Sequence, residues 1–597
     1  MLIRQRHAEP SQALLANVSP LLARIYAGRQ IQDPAELQLD AAGLHPPAQL
    51  QDIAKAAALL ADIRQQQGRI LIVADFDADG ATSCALVIRA LTQMGFQHID
   101  YIVPDRFTCG YGLSPEVADM ALARKPDLVI TVDNGISSIT GVAALKAAGV
   151  NVLITDHHLP GDTLPDADAI VNPNRFDCTF PSKNLAGVGV AFYLMLALRA
   201  QLRQAGAFAD SKEPQLADLL DLVALGTVAD LVPLDRNNRI LVEQGLRRMR
   251  AGRCCAGIAA IVKRAGRNLG QLNTGDLGFA VAPRLNAAGR LEDMSLGISC
   301  LLSDDPINAD RFAVELNAIN EERKRIETDM REQAAIIMAD RELQALAEAG
   351  NELPPILCLY RADWHQGVVG ILASRLKEQF HRPVLVFANA AQTTPGGNVA
   401  TAQHDAADVT ASEGMELKGS GRSIPGLHLR DLLDRVASQH PGLIDRFGGH
   451  AMAAGLSLAS DQLEAFTQAV TETAREMLDE EMLTRTVVTD GNIAAQDLQL
   501  ATAETLREAG PWGQAFPEPL FDGEFTVLDQ RIVGSNHLKL RVRPHGSQQS
   551  LDAIAFNVDT DIWPNPSCKT VRLVYRLDVN DFRQQRQLQL VVDHILP

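Results

Sequence analysis

Short apolar segments that alternate with helical patterns fill the first third of the chain, and this alternation restricts the fold more than any other feature. The stretch ILIVADFDADGATSCALVIRA, residues 70–90, contains the first of these segments. Strands and helices that alternate in this way predict an α/β fold with a parallel sheet covered on both faces. The pattern predicts strands at 70–74, 99–104, 127–133, 151–156 and 168–173, and helices at 82–95, at 114–124 and up to about 148.

Length and composition set broader bounds. With 597 residues the chain is long enough for several domains, and its net charge of −18 argues weakly against coating nucleic acid through bulk charge. This net charge does not exclude a local basic channel. The eight cysteines form no CxxC pair, which indicates reduced thiols rather than a zinc site or a disulfide framework. No apolar run reaches the roughly 18 residues of a membrane span, and no secretory signal pattern opens the chain, so we expect a cytoplasmic protein without membrane contact.

Acidic residues and histidines follow the predicted strands. Because ligands of parallel sheets bind beyond the carboxyl ends of the strands, these side chains are expected to converge on one edge. Crowded carboxylates repel unless cations neutralise them, and there are more candidate ligands than one ion with open positions can use. The sequence therefore predicts two divalent cations, Mn²⁺ or Mg²⁺, roughly 3.5–4 Å apart. The candidates are Asp75, Asp77, Asp79, Asp133, Asp156, His157, His158 and Asp230.

Each candidate also has a simpler interpretation. A single aspartate after a parallel strand is often a helix N-cap or turn residue, which is an equally good reading of Asp133 alone. Asp75 could serve only to accept hydrogen bonds from backbone amides. His157 or His158, taken alone, fits a supporting or core position as well as a metal ligand. Chance explains the whole set on one edge much less well than it explains any member.

The motifs together resemble a known family. DFDADG, TVDNGIS and TDHH are similar to successive signatures of the DHH phosphoesterase superfamily. Within it, the longer pattern resembles the RecJ family of single-strand-specific exonucleases, over roughly residues 20–597. The further motifs are PDRFTCGYGLS, GVGVAF, GTVADLVPL, APRLNAAGRL, WHQGVVGILASRL, GGHAMAAGL, PWGQAFPEPLF and HLKLRV.

The resemblance implies roles for the residues at the sheet edge. Asp133 is expected to bridge two metal ions, with Asp77 on one of them. The other ion would be bound by Asp79, His157 and Asp230. Smaller family members have a histidine where Val73 stands here, so Asp75 is expected to replace that imidazole in part. His158 is expected to face the scissile phosphate, which makes Asp77, Asp79, Asp133 and His158 the candidate catalytic residues.

Substrate contacts are predicted in three places. Arg284, Asn286 and Arg290 lie in RLNAAGR, where small residues allow a backbone to approach closely, and we interpret them as phosphate and sugar contacts. Either arginine taken alone is more often a surface or ion-pair residue. The resemblance adds a second set across the cleft and a third at the 5′ end of the DNA. These are Ser374, Arg375, Gly449 and His450, and Arg106 and Tyr111.

The remaining pattern divides the chain. Residues 308–349 lack proline and place apolar residues at helical spacing, which predicts a rigid helical arm or two successive helices. Strands at 356–360 and 383–389 around a helix at 367–380 predict a second α/β domain, which the resemblance names DHHA1. Alternation in 537–543, 570–579 and 586–592 predicts a small β-barrel, of OB type by resemblance, or plain charged surface strands. The predicted units are 1–50, 51–306, 307–350, 351–460 and 461–597.

Three functions remain open. The resemblance implies a metal-dependent exonuclease that releases 5′-mononucleotides from single-stranded DNA in the 5′→3′ direction, in DNA repair and recombination. A phosphoesterase for small substrates, such as oligonucleotides or cyclic dinucleotides, would have little use for the extra barrel. A catalytically inactive DNA-binding scaffold would have little use for an intact ligand set. As partners the resemblance implies single-stranded DNA, a single-strand-binding protein and a helicase, with the chain itself a monomer.

Overall fold

A computed structural model of the chain describes residues 1–105, 112–347, 353–390, 415–582 and 585–596. The first elements form an N-terminal segment that leads into the first domain. In this segment Ser11 caps one helix and Ser19 the next, each accepting a hydrogen bond from a backbone amide three residues on. The elements are β1 (Leu2–Gln5), α1 (Gln12–Asn17), α2 (Pro20–Ala27) and α3 (Ile53–Gln65).

The first domain contains the predicted parallel sheet. Its strands are β2 (Ile70–Ala74), β3 (Ile99–Ile102), β4 (Leu128–Val132), β5 (Asn151–Thr155) and β6 (Ala169–Val171). They lie in the order β3-β2-β4-β5-β6, and every neighbouring pair is parallel. Strands β2 and β4 are buried along their whole length. The predicted fold class is therefore confirmed for this part of the chain.

Helices cover both faces of this sheet. On one face α3 packs with two further helices, and on the other two shorter helices enclose a separate apolar core around Leu71 and Val73. The added helices are α4 (Ala78–Gln93), α5 (Pro115–Ala123), α6 (Ile139–Ala147) and α7 (Gly187–Gln204). Helix α4 begins four residues before the predicted start at 82. It starts there because the Asp77 carboxylate accepts the amides of Asp79 and Gly80, at 2.8 and 3.0 Å.

A helical layer completes the first domain. A π-helix, Leu277–Val281, lies between its fourth and fifth members. The helices are α8 (Leu220–Ala229), α9 (Arg236–Arg250), α10 (Ala256–Arg264), α11 (Thr274–Asp276), α12 (Ala282–Leu291) and α13 (Ser295–Leu302).

A single 42-residue helix, α14 (Pro306–Ala347), forms the predicted arm. Near its start, Ala309, Ala313 and Leu316 are buried in the core of the first domain. Further along, Met330 and Ala334 are buried in a second core that includes Trp364. The helix therefore packs against both domains, and the alternative of two successive helices is wrong.

The second domain has a five-stranded mixed sheet in the order β10-β11-β9-β8-β7, parallel only between β7 and β8. Its last helix contributes Phe466 and Val470 to the domain core, although our predicted boundary placed residues from 461 onward in the third domain. The strands are β7 (Leu357–Tyr360), β8 (Val384–Asn389), β9 (Glu416–Arg422), β10 (Arg446–Gly449) and β11 (Ala453–Ala459). The helices are α15 (Val369–Phe380), α16 (Leu429–Gln439) and α17 (Leu463–Met477).

The C-terminal region forms the predicted barrel. Its five strands close in the order β13-β14-β15-β17-β16. The alternation of HLKLRVR is observed, since Leu538, Leu540 and Val542 are fully buried in the barrel. The elements are α18 (Glu480–Leu483), β12 (Thr486–Thr489), α19 (Leu500–Glu508), β13 (Phe521–Val533), β14 (His537–Pro544), β15 (Leu551–Ala555), β16 (Thr570–Phe582) and β17 (Gln585–Leu596).

The N-terminal segment packs against the start of the C-terminal region. Strand β1 pairs in parallel with β12, and the Tyr26 ring stacks near Trp512, with ring centroids 6.1 Å apart. Arg29 donates two hydrogen bonds to the carboxylate of Asp490, at 2.8 and 3.0 Å. This junction joins the N-terminal segment to the barrel domain. Among the described residues, no helix is long and apolar enough to span a bilayer.

Candidate metal centre

Carboxylate and imidazole groups converge at the carboxyl edge of the first sheet. Among the described residues, three sets have potential ligand atoms within 4.8 Å of one another. Asp133 belongs to two of these sets, and so does His157. The sets are Asp75, Asp77 and Asp133; Asp79, His157 and Asp230; and Asp133, His157 and His158.

The start of α4 positions Asp77 and Asp79. Asp77 is the N-cap of that helix, and Asp79 lies in its first turn with only 1% of its surface exposed. The Asp79 carboxylate accepts the amides of Gly187 at 2.6 Å and Val188 at 2.9 Å, which are the first residues of α7. This contact gives the GVGVAF motif a structural reason, because a helix N-terminus stabilises a buried carboxylate.

Asp133 lies at the centre of the cluster in a costly backbone conformation. Its φ of +62° is in the left-handed region that favours glycine. A Cβ on Gly187 would lie 2.6 Å from the Asp133 side chain, so only glycine allows this packing. Burial, together with the charges of Asp79 and Asp77, holds the pKa of Asp133 well above its usual range. Strain and unfavourable charge at one residue are typical of functional sites.

His157 points at two carboxylates. Its Nε2 lies 3.1 Å from Oδ1 of Asp133 and 3.4 Å from Oδ2 of Asp230, which follows the last turn of α8. Burial and the neighbouring His158 lower the pKa of His157 to about 4, so its imidazole is neutral at pH 7. Burial and the charge of Asp79 raise the pKa of Asp230 well above its usual range. A neutral imidazole between two carboxylates is a suitable metal ligand.

His158 has a different environment. Its Nδ1 lies 2.7 Å from Oδ1 of Asp156. Burial alone would lower the pKa of His158, but the hydrogen bond and charge of Asp156 raise it to about 9. His158 is therefore an imidazolium at neutral pH. Asp156 also accepts the backbone amides of Ile136 and His157, at 2.9 and 2.7 Å, and so orients the TDHH turn.

Part of this support is not predicted from the sequence. Asp156 is predicted only as one of the candidates at the sheet edge, and two asparagines after β6 are not among those candidates. The Asn174 amide donates to the carbonyl oxygen of His157 at 2.6 Å, and that of Asn172 to the carbonyl oxygen of His158 at 2.9 Å. The repeated asparagine in DAIVNPN, directly after a predicted strand, was the available signal.

Asp75 and Val73, near the end of β2, have different surroundings. Asp75 is buried to 6% exposure and shares a ligand set with Asp77 and Asp133. Val73 is fully buried in the apolar core on the other face of the sheet.

The three residues of RLNAAGR that are predicted to contact substrate have different surroundings in the structure. Asn286 lies at the centre, where its Oδ1 accepts the amide of Ala78 at 2.8 Å. Arg284 is buried and turned toward the arm, donating to the carbonyl oxygen of Ala280 and, at 3.0 Å, to Oδ1 of Asn317. Arg290 reaches the second domain, with its Nη1 3.4 Å from the carbonyl oxygen of Gly367.

The residues predicted in the second domain diverge as well. His450 is close enough for the charge of His158 to lower its pKa, after the larger effect of burial. The adjacent Gly449 has φ +137°. Ser374 donates to the carbonyl oxygen of Gly370, and Arg375 pairs with Glu327 of α14 at 2.9 Å. Arg106 and Tyr111 lie outside the described residues.

The donor set fits hard divalent cations. Carboxylate oxygens with an occasional imidazole nitrogen suit Mn²⁺ and Mg²⁺. Burial and the charge of Asp77 raise the pKa of Asp79 to about 7, which shows how poorly the folded chain tolerates this much negative charge. Bound cations would remove that repulsion. Asp133 belongs to the set of Asp75 and Asp77, and its Oδ1 lies 3.1 Å from Nε2 of His157, which belongs to the set of Asp79 and Asp230. These two adjoining sets offer places for two ions.

Three family models match the chain. They are the DHH family, N-terminal domain, at residues 69–227, the DHHA1 domain at 354–476 and the RecJ OB domain at 489–594.

Curated relatives and solved structures agree with these models. "Single-stranded-DNA-specific exonuclease RecJ" of Salmonella typhimurium is 51% identical over 100% of this chain and 99% of its own length. The protein of the same name from Bacillus subtilis is 32% identical over 96% of this chain and 68% of its own. A crystal structure of RecJ from Thermus thermophilus in complex with Mn²⁺ superposes with a TM-score of 0.78, at 27% identity, covering 100% of this chain and 80% of that one. A structure of exonuclease RecJ bound to manganese gives a TM-score of 0.56, at 31% identity, covering 72% of this chain and 96% of that one.

Proposed function

The chain belongs to the RecJ family of single-stranded-DNA-specific exonucleases, and from this membership we propose that it degrades single-stranded DNA in the 5′→3′ direction. The reaction is metal-dependent phosphodiester hydrolysis that releases 5′-mononucleotides, in DNA repair and recombination. The observation that carries this proposal is that two ligand sets meet at the strained Asp133, which belongs to the set of Asp75 and Asp77 and lies 3.1 Å from His157 of the other set.

We assign the ligand sets to two divalent cations. Asp75, Asp77 and Asp133 hold one ion. The other is held by Asp79, His157 and Asp230, with Asp133 bridging the two. When bound, such cations supply positive charge and Lewis acidity for attack of water on a phosphodiester. The neutral state of His157 leaves its Nε2 lone pair available for coordination.

His158 acts on the phosphate rather than on a metal. Asp156 keeps it protonated and fixes its ring through Nδ1. Its positive charge attracts the scissile phosphate, and it can donate a proton to the leaving oxygen. Hydrolysis forms a bond from the water oxygen to phosphorus and breaks the bond from phosphorus to the 3′ oxygen. The released nucleotide keeps its 5′ phosphate and gains a 3′ hydroxyl.

The remaining predicted substrate contacts define a path for the single-stranded DNA. Asn286 supports the start of α4, and Arg290 and His450 line the approach between the two domains. Arg106 and Tyr111 are proposed for the 5′ end, and Ser374, Arg375 and Gly449 for the far side of the cleft. Arg284 is better explained as a brace between α12 and the arm, because its guanidinium is committed to Asn317 and Ala280.

We retain the proposed units, with residues 461–477 moved to the second domain because α17 packs there. The chain is proposed to act as a monomer in the cytoplasm, with a single-strand-binding protein and a helicase as partners. Sedimentation with and without each purified partner tests the monomer and these two contacts.

The test follows digestion of single-stranded DNA labelled at either end, with Mn²⁺ or with EDTA. We expect early release of the 5′-terminal mononucleotide, lost in EDTA and in Asp133→Asn. Hydrolysis of dinucleotides with an intact long strand would favour a small-substrate phosphoesterase. DNA binding without hydrolysis of any substrate would favour an inactive scaffold.

A further inference from the structure

Four strongly exposed apolar side chains lie on segments that form the metal centre or contact its neighbouring residues. Six large apolar side chains among the described residues are more than 60% exposed. Two of them directly follow residues of the centre, and two more lie on segments that contact His157 or the end of α8. The other two, Ile307 and Ile336, are on α14. Single exposed apolar residues are ordinary, but a concentration around one site indicates a ligand. We define the apolar rim as Leu159 (63% exposed), Phe176 (78%), Leu231 (65%) and Phe279 (85%).

The two leucines of the rim adjoin functional residues directly. Leu159 follows His158, and Leu231 follows Asp230. Leu231 has φ +59°, in the left-handed region that is costly for a side chain of this type. The chain thus holds a leucine in solvent, in a strained conformation, beside a metal-ligand candidate. Such strain is typical of sites that a ligand uses.

Phe176 belongs to the histidine side of the centre. It lies two residues beyond Asn174, whose amide donates to the carbonyl oxygen of His157 at 2.6 Å. The neighbouring Arg175 is fixed by Asp52 and Asp177, at 2.6 and 2.7 Å. The backbone that carries Phe176 is therefore anchored while its ring faces solvent.

Phe279 belongs to the Asp230 side. It is the middle residue of the five-residue π-helix Leu277–Val281, in which Leu277, Ala280 and Val281 are buried. A Cβ on the preceding Gly278 would lie 3.4 Å from Val228, which is two residues before Asp230. Single π-helical turns are frequent at functional sites, and this one presents an aromatic ring to solvent on a segment that packs against the last turn of α8, just before Asp230.

Single-stranded DNA has the surface that such a rim can bind. Its bases expose their faces, and stacking on aromatic side chains holds them without regard to sequence. In a duplex the bases are already paired and stacked, so their faces are not available. A rim that stacks on bases would therefore favour single strands over duplexes.

We propose that the apolar rim is a base-stacking subsite, in which Phe176 and Phe279 stack on bases of single-stranded DNA on either side of the scissile phosphate. This rests on the proposed function and deepens it, because it gives a physical origin for the preference for single strands.

The test compares an oligothymidylate with the same oligonucleotide carrying abasic sites at its 5′-terminal nucleotides. The variants are Phe176→Ala and Phe279→Ala, with Phe176→Trp and Phe279→Trp as conservative replacements. Ile307→Ala is the matched control, since it removes an equally exposed apolar side chain on the arm. Binding is measured as the dissociation constant in EDTA, and turnover as kcat/KM with Mn²⁺.

Each alanine variant is expected to bind the oligothymidylate about 5- to 100-fold more weakly, from the usual strength of base stacking. Its affinity for the abasic strand should equal that of the wild type. The tryptophan variants and Ile307→Ala should bind both strands normally. Equal losses on both strands, or no loss on either, would overturn the proposal.

The two measurements separate this inference from the proposed function. Base-dependent binding in EDTA that the alanine variants lose, without nucleotide release in Mn²⁺, would uphold stacking and refute the exonuclease. Normal nucleotide release by both alanine variants, with unchanged affinity, would uphold the exonuclease and refute stacking.

Discussion

The metal centre and the junction between the N-terminal segment and the barrel domain both bury aspartates. They differ in which charged groups surround the buried carboxylate. At the junction, Asp490 is 4% exposed and receives two hydrogen bonds from Arg29, with Arg6 3.4 Å away. At the metal centre, Asp133 is 2% exposed, and its neighbours Asp79 and Asp77 raise its pKa. A buried carboxylate that the chain neutralises by itself serves the fold. One that the chain leaves to repel its neighbours is kept for a ligand.

The largest expected effect is on the centre. Asp133→Asn keeps the size of the side chain but removes the charge that two cations would share. We expect kcat/KM on single-stranded DNA to fall on the order of 10³-fold or more, with an unchanged circular dichroism spectrum. Asp119→Asn, at an exposed position of α5, is the control and should keep full activity. Substantial residual activity in Asp133→Asn would remove this residue from the centre.

At the junction between the N-terminal segment and the barrel domain, a substitution should lower stability rather than activity. Arg29→Met leaves Asp490 buried without its main partner, and we expect the free energy of unfolding to fall by about 3–5 kcal/mol in urea. Adding Asp490→Leu should recover part of the loss, because it removes the stranded carboxylate, although Arg6 and the amide of Leu520 then lose their contacts with it. A loss below about 1 kcal/mol, as for exposed ion pairs, would show that this carboxylate is not protected by its partner.

Asp156 connects the two kinds of site, because it is a neutralised carboxylate within the centre. Asp156→Asn should reduce kcat/KM about 10- to 100-fold through misplacement of the histidines. His158 is protonated below its pKa of about 9, so activity that needs the imidazolium is present below that pH and lost above it. Without Asp156 this pKa falls, and the alkaline limb of the pH profile should move to lower pH. If the alkaline limb of the pH profile does not move in Asp156→Asn, His158 is not the group whose titration produces it.

The smallest expected effect is on thermal stability without metal. Burial and the charge of Asp77 raise the pKa of Asp79 to about 7, above its usual value near 4. Stability from the protonated carboxyl is present at low pH and is lost as pH rises through about 7. In EDTA, Tm should therefore fall by a few degrees between pH 5 and 8, and Mn²⁺ should restore it. A Tm that rises over this range would contradict repulsion at the centre.

The sequence was sufficient for the elements that depend on local pattern. The parallel sheet follows from periodicity, and the ligand candidates follow from their positions after strands. Periodicity left the arm open against two helices and the barrel open against plain surface strands, and the resemblance favoured the barrel. Contacts between distant segments could not be read in this way. The pairing of β1 with β12 joins residues more than 480 positions apart, and nothing local in LIRQ indicates it.

The same limit applies within the centre. The guanidinium of Arg284 is directed to Asn317 of the arm, a contact that the RLNAAGR motif does not reveal. Asp156 looks like its acidic neighbours in the sequence, and only its hydrogen bonds to His158 and Ile136 separate a positioning carboxylate from a ligand. The sequence indicates which residue types collect at an edge, whereas the structure determines which charges are already neutralised.

Metal stoichiometry tests the central claim most directly. Mn²⁺ would be titrated calorimetrically into wild-type protein freed of metal with EDTA and dialysed, near pH 7, with Asp133→Asn alongside. The two ligand sets predict two bound ions per wild-type chain, with proton release as the raised carboxyl pKa values fall, and a marked loss of affinity in the variant. Binding of no ion, or the same affinity and stoichiometry in Asp133→Asn, would contradict a two-ion centre built around Asp133.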